Sequence, residues 1–245
     1  SPITADTPIV ITGSMTAARI KEALGLSPLA DAAMTSVQFG ANRLFCIPVS
    51  ASTPGSTGEV THQGSGGGSL TVEGSPTNAF SFIVKITGQG GLNTAAFAVS
   101  IDGGFSYTDE ITVPVSGAYE ITGTGLTLKF AEAAEAEQKP SSFLAGDTYT
   151  FQTVAPTMTN GDVLAAIEKL RKEFEFIHIV GGSALALWQA VSTAQKELMD
   201  IYHKPAFFLL EAVYPEDSGD LTNWALKMEA DRKKIRSTDL QVVAG

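Results

Sequence analysis

FIHIVGGSALALWQA, residues 176–190, passes from an apolar strand pattern through Gly181-Gly182-Ser183 into apolar residues at helical spacing. Strand-to-helix turns of this kind hold nucleophiles or phosphates in many α/β enzymes, because orphan N–H groups point outward at a helix start. The residues do not match those chemistries. The turn lacks the closing glycine of G-x-S-x-G, the Lys-Ser/Thr ending of a phosphate-cradling loop, and the spacing of G-x-G-x-x-G. Its glycines are therefore expected to supply permissive backbone, and Ser183 to cap the helix by accepting from an orphan N–H.

The same rhythm extends in both directions. Downstream, PAFFLLEAVYP is a near-continuous apolar strand, LTNWALKMEADRKKIR a helix with Leu221, Trp224, Met228 and Ile235 on one face, and LQVVA a closing strand. The long helix after the turn places Leu187, Trp188, Val191, Leu198 and Ile201 inward. Upstream, TNGDVLAAIEKLRKEF opens on a capping-box pattern from Thr159 to Asp162 and carries Val163, Leu164, Ile167, Leu170 and Phe174 on one stripe. At the amino end TPIVIT reads as a strand, TAARIKEALG as a helix closed by Gly25, SPLADAAMTSVQFG as a helix opened by Ser27-Pro28 and closed by Gly40, and RLFCIPVSA as a strand. Strands apolar at nearly every position and separated by amphipathic helices predict an α/β core with a mostly parallel sheet covered by helices.

Residues 56–155 have another texture. Gly, Thr and Ser are abundant, and SLTVEG, FSFIVKITG, AAFAVSIDGG, ITVPVSG, YEITGTGLTLKFA and DTYTFQTV alternate apolar and polar positions between Gly-containing turns. That pattern predicts an inserted all-β domain, a sandwich or small barrel. The loop-forming clusters SASTPGSTG and VAPTMTNGD mark its borders, so 1–55 and 156–245 form a discontinuous α/β domain around an insert at 56–155.

With 26 acidic against 16 basic residues the formal net charge is −10, which opposes a broad footprint on nucleic acid or anionic lipid. No apolar run approaches the roughly 18–20 residues that span a bilayer, and SPITADTPIVITG has neither the basic nor the long apolar region of a signal peptide. A soluble chain, cytoplasmic when made and cut from something longer, is the expectation. The single cysteine, Cys46, sits inside RLFCIPV, where a small buried hydrophobe is its simplest role.

The chemistry-bearing residues do not converge on a reaction. Of the three histidines, His62 lies in the Gly-Ser-rich entry to the insert, His178 in mid-strand, and His203 at a helix end whose carbonyls favour a partly cationic ring. No His-x-x-x-His or Cys-x-x-Cys pair offers zinc-ligand spacing. SIDGGFSY, residues 100–107, is similar to the Asp-box hairpin S-x-D-x-G-x-T-W of sialidase propellers, in which the aspartate bonds turn backbone; here it occurs once, with Ser106 and Tyr107 in place of Thr and Trp. A calcium reading of Asp102, Asp109 and Glu110 lacks an EF-hand loop, and the acidic run AEAAEAEQKP, residues 131–140, reads as solvated surface. No catalytic, cofactor-binding or metal-binding residue is assigned, and the chain is expected not to be an enzyme.

The succession TPIVITGSMTAARIKEALG, FCIPVSASTPGSTGEVTHQGSG, GTGLTLKFAEA, FLAGDTYTFQTVAPTMTNGDVLAAIEKL and FIHIVGGSALA resembles the phage contractile tail sheath-like proteins, including a branch long described as a family of unknown function. The resemblance covers nearly the whole chain, and its most specific part is the FLAGDTYTF–TVAP exit followed by a helix. It implies a structural subunit whose α/β domain belongs to a helical sheath, whose insert decorates the exterior, and which contracts around an inner tail tube to drive it into the host envelope. The implied partners are other copies of the chain, a tail tube protein and baseplate proteins, with no nucleic acid and no membrane insertion. The implied location is the host cytoplasm during assembly and then the particle tail. No terminal arms of the kind that link sheath subunits are evident. A second expectation is a β-rich surface or carbohydrate-binding accessory module of a phage or phage-derived particle.

Overall fold

A computed structural model describes residues 5–169, 174–215 and 220–244. In chain order the elements begin with β1 (Ile9–Thr12), α1 (Ala17–Leu24), α2 (Pro28–Gln38) and β2 (Arg43–Cys46). Then follow β3 (Ser56–Thr57), β4 (Thr61–Gln63), β5 (Ser69–Gly74), β6 (Ser81–Gly88), β7 (Ala96–Ser100), β8 (Ile111–Thr112), β9 (Ala118–Ile121), β10 (Leu126–Ala131) and β11 (Thr148–Val154). The last part holds α3 (Asn160–Glu168), β12 (Phe176–Ser183), α4 (Leu185–Asp200), β13 (Phe207–Ala212), α5 (Leu221–Arg232) and β14 (Leu240–Ala244).

Local chemistry sets the helix ends. The Thr16 hydroxyl accepts from Arg19 N at 3.4 Å at the start of α1, and Gly25 closes that helix at φ +70°. Thr159 and Asp162 form a reciprocal capping box on α3, the Asp162 carboxylate accepting from Thr159 N at 2.7 Å. Helix α3 ends at Glu168, so Phe174 lies beyond it and meets Phe45 edge-on with centroids 5.5 Å apart; Leu170, expected on the same stripe, is outside the described residues.

The chain forms two compact units, one from the residues up to Met15, Pro28–Ala51 and from Met158 onward, the other from Thr16–Ser27 and Ser52–Thr157. In the first unit, β12, β13 and β14 form a three-stranded parallel sheet, and β1 and β2 a separate antiparallel pair with Ile9 opposite Cys46 and Thr12 opposite Arg43. Every other strand pairing in the described residues is antiparallel. The expectation of a mostly parallel sheet covered by helices is thus overturned.

The physical reason lies in the connections. Strands β12, β13 and β14 are joined through single helices, the crossover that parallel pairing requires. Between β1 and β2 lie two helices, and the first of them belongs to the other unit. Alternation of strand and helix in sequence there does not describe a crossover, and the two strands pair directly. Phe208, Leu210 and Ala212 of β13 are buried with Leu187, Trp188 and Val191 of α4, and Phe176 at the start of β12 is 54% exposed.

The second unit pairs its named strands antiparallel, with one isolated parallel bridge between Ser81 and Asp102. Its sheets have the orders β5-β10-β9 and β3-β11-β6-β7-β8, with β4 also on β11. Alternation in sequence becomes alternation in space: Phe82, Val84 and Ile86 of β6, Leu126, Leu128 and Phe130 of β10, and Tyr149 and Phe151 of β11 share one core. Helix α1 contributes to this unit with Ile20 and Leu24, both nearly fully buried, and Leu26 N donates to Gly123 O at 3.1 Å. Thr53 and Thr157 exchange backbone hydrogen bonds of 3.2 and 3.0 Å, clamping the entering and leaving chain together at the neck of the unit.

Candidate functional site

The Gly-Gly-Ser segment lies inside β12 and forms a bulge. Ile179 is opposite Leu210 and Gly182 is opposite Glu211, so Val180 and Gly181 are extra residues against β13. The two glycines have different reasons. Gly181 adopts φ +109° with open space around it, so the requirement is backbone conformation. At Gly182 a Cβ would come within 3.2 Å of Val213 Cγ2 and 3.3 Å of Val213 Cα, so the requirement is close approach of the next strand's end.

Glu211 organises the bulge from β13. One carboxylate oxygen accepts from Gly181 N at 2.8 Å, and the other lies 2.9 Å from His178 Nε2. That second contact is one of distance alone: Nε2 is buried and makes no hydrogen bond of acceptable geometry. His178 thus faces an acceptor of its own and is paired with Glu211 rather than with Ser183.

Ser183 does not cap α4. It is still in register with β13, opposite Ala212, and the residue at the N-cap position is Ala184, which offers no side-chain acceptor. The buried Ser183 hydroxyl donates to Glu211 O at 2.6 Å and accepts from Trp188 Nε1 at 2.9 Å. Its proton is held by a carbonyl and its lone pair by an indole, which ties the end of β12 to β13 and to the first turn of α4. Replacing Ser183 with Ala is expected to cost about 1–3 kcal/mol, the desolvation cost of an orphaned buried indole N–H. Urea unfolding followed by tryptophan fluorescence measures it, since Trp188 and Trp224 both lie in this unit.

At the other end of α4, His203 adopts φ +54° and Lys204 N donates back to Leu198 O at 2.9 Å. His203 is therefore the left-handed residue that terminates the helix. Ile201, expected inward, is past the helix end and 65% exposed.

The β-rich unit holds a second polar centre, which sequence reasoning missed. Asp147, 4% exposed, accepts from Ser65 N at 3.1 Å through one oxygen and from Gly66 N and Leu144 N, each at 3.1 Å, through the other. His62 stacks on Tyr149 with centroids 4.4 Å apart, and its Nε2 lies 3.6 Å from the Asp147 carboxylate. Burial, reinforced by the Asp147 charge, pushes the Tyr149 hydroxyl up to about 12, and that hydroxyl donates to Gly68 O at 3.1 Å. A Cβ at Gly64 or Gly66 would fall onto the Asp147 carboxylate, and one at Gly68 would come within 2.7 Å of the Phe143 ring and 2.8 Å of Ser142 O. The segment QGSGGGS thus supplies the close backbone approach that a buried carboxylate needs. Its only sequence signal was a glycine run facing an Asp, just ahead of β11, that is more than 80 positions away.

The SIDGGFSY turn is closed on itself. Ser100 Oγ donates to Asp102 Oδ1 at 2.7 Å, Ser106 N donates to the same oxygen at 3.0 Å, Ser106 Oγ donates to Asp102 Oδ2, and Gly104 N donates to Ser100 Oγ at 2.8 Å. The Ser106 hydroxyl first, then the Ser106 N–H and the Ser100 hydroxyl, hold the Asp102 carboxyl well below the usual carboxylate range. A carboxyl whose folded value is depressed stabilises the turn above its unfolded value near 3.9 and loses that contribution as pH falls through the folded value. A carbon-13 NMR titration is therefore expected to find Asp102 still ionised at about pH 3, below the ordinary value; a midpoint near the ordinary one would show that these bonds do not hold in solution. Cys46, buried, is pushed up to about 11 by desolvation and stays a thiol.

Among the described residues no cluster of three or more His, Cys, Asp or Glu side chains is placed to hold a metal, and no helix is long and apolar enough to cross a membrane. The family model described as DUF2586, N-terminal domain, matches residues 1–245. The chain belongs to the DUF2586 family. A solved structure of the sheath tail protein from Desulfitobacterium hafniense is similar to this DUF2586 chain at 18% identity with a TM-score of 0.48, over 100% of this chain and 50% of that one. The chain thus spans half the length of that protein. No curated protein matches it.

Proposed function

We propose that this DUF2586 domain is a structural part of a phage-type tail, a subunit of a contractile sheath that assembles as a helical tube around an inner tail tube. The observation that carries the reading is the ordered series of segments resembling sheath-like proteins. Its most specific element, FLAGDTYTF–TVAP, contains Asp147, which ties the insert's entry loop to β11, and leads into the Thr53–Thr157 clamp and the capping box of α3. Those residues support the reading because they fix where the β-rich unit leaves and rejoins the chain, the feature on which the resemblance rests. In such a lattice heterologous contacts repeat without closing, and contraction is a change between two packings of rigid subunits, driven by the better contacts of the contracted state. Copies of the same protein, a tube protein and baseplate proteins are the partners this reading requires.

Electron microscopy of the parent protein, expressed with its tube neighbour, tests the proposal. Helical sheaths of regular pitch are the expected result; soluble particles with no tube association would overturn it. A second reading, glycan recognition by the β-rich unit, is favoured by one feature: Phe105, 94% exposed, and Tyr107, 44% exposed, stand on the turn pinned by Asp102. Aromatic faces presented without rearrangement are what sugar stacking uses. Binding of the chain on a glycan array, lost on Phe105→Ala, would select that reading, and an empty array would remove it.

A further inference from the structure

No further inference is drawn: the strongest candidate, the trough of about 560 Å³ beside α5 and β14, lined by apolar Trp224, Met228, Ile235 and Leu240 and by charged Glu229 and Arg232, carries nothing because nothing in the structure shows what covers it.

Discussion

Replacing Asp147 with Ala is expected to destabilise the β-rich unit by about 3 kcal/mol or more, because each buried donor left without its acceptor costs about 1–3 kcal/mol. Three backbone N–H groups, those of Ser65, Gly66 and Leu144, lose their acceptor together, and His62 loses the carboxylate beside it. The vacated space lies where the glycines at 64 and 66 left room for a carboxylate, so the loop cannot close over it without moving. Because both tryptophans belong to the other unit, tryptophan fluorescence leaves this loss unseen, and hydrogen exchange resolved along the chain is the fitting measurement. Faster exchange is expected in residues 61–70 and 143–151, with β13 at 207–212 unchanged. Unchanged exchange in 61–70 would show that the carboxylate does not tie the loop to β11. Asp147→Asn is expected to fall between, since one amide oxygen in place of the second carboxylate oxygen can still accept from Gly66 and Leu144, while the amide NH₂ would face the Ser65 donor.

What could be read from sequence divides by range of interaction. Helices α1, α2, α3, α4 and α5 were legible because their signals are local: Gly25, Ser27-Pro28 and Gly40, Thr159 and Asp162, and the spacing of Leu187, Trp188 and Val191 all act within a turn or two. The antiparallel alternation of the insert was legible for the same reason, since period two is a property of each strand alone. Strand pairing is not local. TPIVIT and RLFC carry no mark that says whether they run with β12 or against each other, and the departure of α1 to the other unit decided it. The parallel expectation extended to the amino end a rule that holds only where one helix connects two strands.

The candidate site shows the same division. Ser before an apolar helix favours the N-cap, but strand register holds Ser183 and moves the N-cap one residue on to Ala184, and the Ser183 hydroxyl meets a carbonyl and an indole instead. The Gly-Ser-rich entry to the insert gave no sign of its partner, because Asp147 is remote in sequence. At Gly64, Gly66 and Gly68 a Cβ would collide with Asp147, Ser142 or Phe143, so close approach explains these glycines.

Trp188→Ala is the other large effect, an expected loss of about 3–5 kcal/mol for truncating a buried tryptophan. The side chain is 1% exposed and packs in the core formed by Val163, Ile167, Leu187, Val191, Phe208 and Leu210. Volume and polarity can be separated by a cycle. Trp188→Phe keeps one aromatic ring's worth of apolar contact while removing the N–H and part of the ring volume, so it is expected to cost much less than Trp188→Ala. In that background Ser183→Ala should cost less than in the parent, because no indole donor remains to be stranded, and the Ser183 to Glu211 bond of 2.6 Å is all that is lost. A coupling of about 0.5–3 kcal/mol between the two positions is expected for groups in direct contact, measured from urea midpoints at constant slope with Trp224 as the remaining fluorophore. Strict additivity would mean that the indole bond to Ser183 contributes nothing and that the bulge is held by Glu211 and Gly181 alone. Coupling would instead make Trp188 the residue that keeps Ser183 turned into the core, and would explain why a serine in a strand-to-helix turn is spent on packing.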